Sequence, residues 1–163
     1  MTAVVIGIGN EFRRDDGIGP AVADAIRRLD EDVDVRTVSD DPAALLDAWD
    51  GTELAVIVDA TAGEGAVAGR LRRWAPDQAP PAAVSSHALD LTAVHALGRV
   101  LGRTPQRLVV FTVDAADVGH GVGLTPAVAA AVPQVVSAIV AEIEHHRGQG
   151  RGRVGLPALD VPT

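Results

Sequence analysis

The sequence contains no cysteine. Disulfides, thiolate nucleophiles and Cys-ligated metals are thereby excluded, so any metal site must draw on His, Asp or Glu. Lysine is absent as well, and all 14 basic residues are arginine. That removes a Schiff-base lysine and a P-loop lysine together. Aromatic residues make up 2% of the chain, too few for the stacking platforms of a nucleic-acid binder. The net charge is −8, which offers no basic footprint to a phosphate backbone. No uninterrupted apolar segment is long enough to span a bilayer, and the N-terminus lacks the basic, apolar and small-residue layout of a signal peptide. The expectation is a soluble cytoplasmic protein with no membrane or nucleic-acid partner.

What the sequence does have is Ala and Val, within a hydrophobic content of 47% over 163 residues. One domain of this length can bury a real core, and the composition suits Ala-rich helices on Val/Ile strands. Ala3–Ile8 reads as a strand buried on both faces, because its apolar residues run without alternation. Residues 17–29 read as a helix with Ile18, Val22, Ile26 and Leu29 on one stripe. Val33–Val38 is a second strand. Asp41-Pro42 opens a second helix to about Trp49, Asp41 serving as N-cap and Pro42 as first helical residue. Leu54–Val58 is a third strand, ending at Asp59. Gly69–Trp74 alternates in polarity like an exposed edge strand. A proline-rich loop, residues 75–86, leads to a helix from His87 to about Leu101, with Leu89, Leu91, Val94, Leu97 and Leu101 inward. Arg107–Val113 is the fifth strand. Thr125-Pro126 starts a helix to about His146, which Pro133 should bend or loosen. Residues 1–147 then form one α/β domain, a three-layer α/β/α sandwich around a mostly parallel five-stranded sheet. Residues 148–163 read as a mobile tail.

The candidate site comes from position. Strand, tight turn and helix succeed one another in VVIGIGNEFRRDDGIGP, Val4 to Pro20. Helix N-termini attract anions, yet here Asp15 and Asp16 build the anions in, which points to a cation. Asp59 closes the third strand, and His87 ends the proline loop. Ligands in open α/β sheets gather at the carboxyl ends of strands, where the strand order reverses. Asp16, Asp59 and His87 are therefore the candidate ligands, an O/N set suited to Ni, Zn, Mn or Fe(II).

Each residue also has a plain reading. Asp16 as a helix N-cap contributes about 1 kcal/mol, Asp59 caps a turn, and His87 faces solvent at a helix end. Asp15 reads as a structural partner rather than a ligand. His95 belongs to a helix surface, His145 and His146 to a solvated helix end, and His120 to a structural or substrate-contacting loop. Trp49 and Trp74 read as packing residues. A dinucleotide fingerprint fails because Phe12 stands where the third glycine belongs. No G-x-S-x-G elbow exists for a serine hydrolase. An aspartic dyad of Asp16 and Asp59 sharing a proton is the remaining metal-free alternative.

The spacing Gly9-Asn10-x-Phe12-x-x-Asp15-Asp16-Gly17-x-Gly19 resembles the signature of the nickel–iron hydrogenase maturation endopeptidases. Val58-Asp59-Ala60, Ser86-His87-x-Leu89 and Gly123-Leu124-Thr125-Pro126 follow in the family's order, and the resemblance spans roughly residues 3–145. Ser39-Asp40-Asp41-Pro42 departs from it, standing where many members carry a glycine- and threonine-containing turn. The resemblance implies a twisted mixed sheet with one antiparallel strand. It implies a peptidase, grouped with the aspartyl proteases, that removes the C-terminal extension of a hydrogenase large-subunit precursor after nickel insertion. It maps Asp16, where some members carry Glu, with Asp59 and His87 onto the metal-contacting and catalytic positions. It further implies that the nickel comes with the substrate and that the enzyme is a monomer. The alternative from another class is a non-catalytic domain that binds metal or a nickel protein.

Overall fold

The structure is a computed structural model that describes residues 2–76 and 90–151. Five strands form one sheet: β1 (Ala3–Ile8), β2 (Asp34–Val38), β3 (Leu54–Thr61), β4 (Leu71–Trp74) and β5 (Arg107–Asp114). Their order is β2-β1-β3-β5-β4. All neighbours run parallel except β4, which lies antiparallel to β5 at the edge. Among the described residues four α-helices accompany it: α1 (Ile18–Leu29), α2 (Pro42–Trp49), α3 (Leu91–Leu101) and α4 (Pro126–Arg151).

The central strands are apolar throughout because they are covered on both sides. Val5, Val56, Val58, Val109 and Phe111 join Ile18, Val22 and Ile26 of α1 and Val128, Val135 and Ile139 of α4 in one core. Val4, Ile6, Ile57 and Val110 join Leu45, Leu46 and Trp49 of α2 and Leu91 and Val94 of α3 in the other. These are the three expected layers. Trp49 and Trp74 are both packing residues in the second core, and Trp49 Nε1 donates to the Arg103 carbonyl at 2.9 Å. His95 is half-buried on α3 and meets the Trp49 ring edge-on.

Several expected boundaries move. The third helix begins at Leu91 rather than His87, because the Asp90 side chain accepts from the N–H groups of Thr92 and Ala93 and so caps it there. His87 and Leu89 lie outside the described residues. Leu97 and Leu101 are exposed, and Gly98 faces inward instead. A Cβ at Gly98 would lie 2.7 Å from the Arg103 carbonyl oxygen, so only glycine lets the loop after α3 fold back against it. Leu29, in the last turn of α1, is likewise exposed. α4 continues to Arg151, past the expected end of the domain at residue 147. Pro133 lies inside it without ending it.

By length and composition α4 is a helix that could cross a membrane, contrary to the expectation that no such segment exists. Its stripe of Val128, Ala131, Val135, Ile139 and Ile143 is spent on the sheet and α1. Its polar side is tied down by Glu142, which pairs with Arg73 and Arg107, and by Arg147, which is 3.0 Å from Asp30.

Glycines set how closely α1 approaches the sheet. A Cβ at Gly7 would overlap the Gly19 carbonyl. A Cβ at Gly19 would overlap the Ile8 carbonyl and lie 2.8 Å from the Val58 carbonyl oxygen. The first turn of α1 therefore sits directly on the carboxyl ends of β1 and β3. Gly19→Ala should cost about 1–3 kcal/mol or more, the penalty of overpacking against backbone that cannot yield. Urea unfolding of the purified variant measures it.

Candidate active site

The chain passes from β1 outward to β2 and then returns to β3 on the other side of β1. The order reverses between β1 and β3, and ligands of open α/β sheets bind at that point. After β1 the chain turns at Gly9, whose φ of 145° is open to glycine alone. A Cβ there would overlap the Asp16 carbonyl. A short 3-10 helix, Arg14–Gly17, then leads into α1 and packs against β3.

Asp16 is fully buried. It is not the cap of α1: Gly17 holds that position without a side-chain bond. Instead, Asp16 Oδ2 accepts from the Asn10 N–H at 2.8 Å, which closes the turn. Asp59 is 1% exposed. It lies within β3, two residues before its end, rather than in a turn beyond it. Its Oδ1 accepts from the Ala60 N–H at 2.8 Å. Gly19, three residues after Asp16, lies against the carbonyl of Val58, which directly precedes Asp59. The fold thus brings the first two predicted carboxylates to the same end of the same two strands. The third predicted residue, His87, lies outside the described residues. Among the described residues, no group of three or more His, Asp or Glu side chains is placed to hold a metal.

Hollows open on both sides of this point. One of about 460 Å³ is bordered by Gly9, Asn10, Phe12 and Pro20 and by Thr37 and Ser39 after β1 and β2. Another of about 280 Å³ lies between residues 62–68 and 115–118, beyond β3 and β5.

Asp15 plays the structural part expected of it. Its buried carboxylate accepts from the N–H groups of Ala116, Asp117 and Thr125 at 2.8, 3.0 and 2.7 Å, and from the Thr125 hydroxyl. Burial alone pushes this carboxyl up, but the hydrogen bonds from Thr125, Ala116 and Asp117 outweigh it and hold the pKa below 3.8. The backbone adds more stitches. Arg14 N–H donates to the Gly121 carbonyl, Gly121 N–H to that of Phe12, and Asp15 N–H to that of Asp117. The loop carrying His120 is thereby bound to the Asp16 turn. His120 itself is exposed.

The hydrogenase maturation protease model, HycI, matches residues 26–142 of this chain. The chain belongs to the hydrogenase maturation protease family. The matched stretch includes Asp59 and His87, while Asp16 precedes it. Solved maturation proteases share the fold. The endopeptidase HybD from E. coli superposes with a TM-score of 0.77 at 22% identity, covering 90% of this chain and 94% of that one. The NiFe hydrogenase maturation proteases HybD and HycI from Thermococcus kodakarensis give 0.70 and 0.65 at 24% and 23% identity. HybD covers 88% of this chain and 99% of its own; HycI covers 85% and 89%. No curated protein matches the chain by sequence.

This maturation protease has a second organising carboxylate that sequence reasoning missed. Asp114, at the end of β5, is fully buried. It accepts from the Thr61 hydroxyl at 2.8 Å and from the Val67 N–H and Arg70 Nε at 3.0 Å, and Arg72 Nη2 lies 3.6 Å away. Arg70 also donates to the Gly65 carbonyl. Asp114 thus holds one wall of the 280 Å³ hollow as Asp15 holds the other. A polar residue closing a buried strand at the carboxyl edge was the available signal.

Burial raises the Asp114 pKa, but hydrogen bonds from Val67, Thr61 and Arg70 and the charge of Arg72 lower it by more, so the net shift is downward from 3.8. A carboxyl with a folded pKa below its unfolded one binds fewer protons when folded, so its contribution is complete above the unfolded value and disappears as pH falls through the folded one. Stability of the wild type should therefore fall as pH drops from about 4 toward 2. Asp114→Asn should lose about 3 kcal/mol at pH 7, the usual cost of breaking a buried charge network, and should show a shallower acid dependence. Urea titrations at several pH values test both.

Proposed function

We propose that this peptidase removes the C-terminal extension of a nickel–iron hydrogenase large-subunit precursor once nickel is in place. The observation that carries the reading is the pair of buried carboxylates, Asp16 and Asp59, at the reversal point between β1 and β3 in a member of the maturation protease family.

In this reading the nickel belongs to the substrate and serves as its recognition handle. Asp16 and Asp59 supply hard oxygen donors, and His87 supplies an imidazole, a combination that suits a borderline divalent cation. β4 and α3, which the segment carrying His87 connects, contribute Trp74, Leu91 and Val94 to the core on one face of the sheet. Asp59 shares the parity of Ile57, which faces that core. α3 returns to the start of β5 through residues 102–106. Its other end, about 16 Å away along the helix axis, points toward the carboxyl edge of the sheet. His87 precedes the cap residue Asp90 by three positions.

Gripping the metal fixes the adjacent peptide bond at the crevice, where a water can attack it, and that positioning lowers the barrier. The bound cation polarises the reacting groups. The extension lies in the hollows beside the crevice. The protein acts as a monomer in the cytoplasm.

The test mixes purified protein with nickel-loaded and nickel-free precursor and follows the mass of the large subunit. Loss of the extension only from the loaded form is expected. Cleavage of both forms, or binding without any mass loss, would overturn the reading. The latter outcome favours a non-catalytic binder. Asp16→Asn and His87→Ala should each reduce processing by about 100-fold or more, with far-UV circular dichroism matching the wild type.

A further inference from the structure

Three rows of side chains cross β3, β5 and β4 on the α2/α3 face. The lowest is apolar: Ile57 pairs with Val110, and Val110 with Trp74. In the next row Asp59 pairs with Thr112, and Thr112 with Arg72. In the highest Thr61 pairs with Asp114, whose N–H donates to the Arg70 carbonyl. The highest row is satisfied by the Asp114 network described above. In the middle row Thr112 is the exception.

Thr112 is 3% exposed, and its hydroxyl has no hydrogen-bond partner among the described residues. A buried hydroxyl left unpaired costs free energy, and such a group in a native fold calls for an explanation. Its two neighbours in the row differ in kind. Arg72 offers only donors and leans toward Asp114 in the row above. Asp59 offers a carboxylate acceptor. At about 4.8 Å between neighbouring strands, a threonine hydroxyl and a carboxylate on one face lie within one χ1 rotation of each other.

We propose that Thr112 is a positioning residue of the site: its hydroxyl donates to the Asp59 carboxylate when substrate is bound and fixes the direction in which that carboxylate faces the metal. This rests on the reading of Asp59 as a contact to the substrate's nickel. Groups that orient a metal-contacting carboxylate commonly matter tenfold or more. The second unpaired buried donor, Trp74 Nε1, belongs to the apolar row.

The experiment measures kcat/KM for nickel-loaded precursor and the urea midpoint for wild type, Thr112→Val and Thr112→Ser. Thr112→Val should lose about tenfold in kcat/KM, while its urea midpoint stays level or rises, because the hydroxyl it removes satisfies nothing in the folded protein. Thr112→Ser, which keeps the hydroxyl, should recover most of the rate. Wild-type rates in Thr112→Val would overturn the proposal. So would a rate loss that tracks a loss of stability, or a failure of serine to rescue. If wild type itself leaves loaded precursor uncut, the peptidase reading fails instead, and the two failures are told apart by that control.

Discussion

The arrangement depends on the contact of backbone with backbone where α1 meets β1 and β3. Gly7 and Gly19 have no side chains to keep helix and strands apart, so the helix start rests on the carbonyls of Ile8 and Val58. That contact puts the residues before α1 directly at the strand ends. Asp16 inherits its depth from that contact, and Asp59 its neighbour.

Around this point the protein uses carboxylates in two ways. Asp15 and Asp114 are saturated with donors and serve as internal anchors for loops that would otherwise carry unpaired amides. Asp16 and Asp59 stand between those anchors, and each accepts from a local amide. Four buried acidic side chains in one end of a lysine-free domain could be mistaken for one acidic cluster. The donor pattern separates them: the anchors accept from groups more than forty residues away in sequence, while Asn10 and Ala60, which donate to the site pair, stand six positions and one position away.

The layers were legible because their signals are physical and local. Strands covered on both faces read as unbroken apolar runs, and the edge strand betrayed itself by Arg72 and Arg73 between Leu71 and Trp74. The Asp41-Pro42 start of α2 was readable for the same reason. What failed was the reach of single signals. The proline-rich loop points to His87 as the start of α3, whereas the capping carboxylate belongs to Asp90. A heptad-like run of leucines hid the role of Gly98, whose close approach depends on a loop that folds back later in the chain. The site pair could be named from topology, since a carboxylate after the first strand and one in the third meet wherever the order reverses between them. Asp114 and Thr112 were harder, because their importance arises from which strands become neighbours. Both are polar residues in the run RLVVFTVD, two apart and on one face, and that spacing is the only trace they leave in the sequence.

The way Asp15 is held has a consequence for how such enzymes can diverge. Its carboxylate grips Ala116 and Asp117 at one end of a loop and Thr125 at the other, so the ends are clamped while His120 and Val122 between them face outward. A clamped loop can exchange the residues at its tip without transmitting the change to the turn beside it. New recognition can therefore be tried at the rim while the reacting groups keep their places.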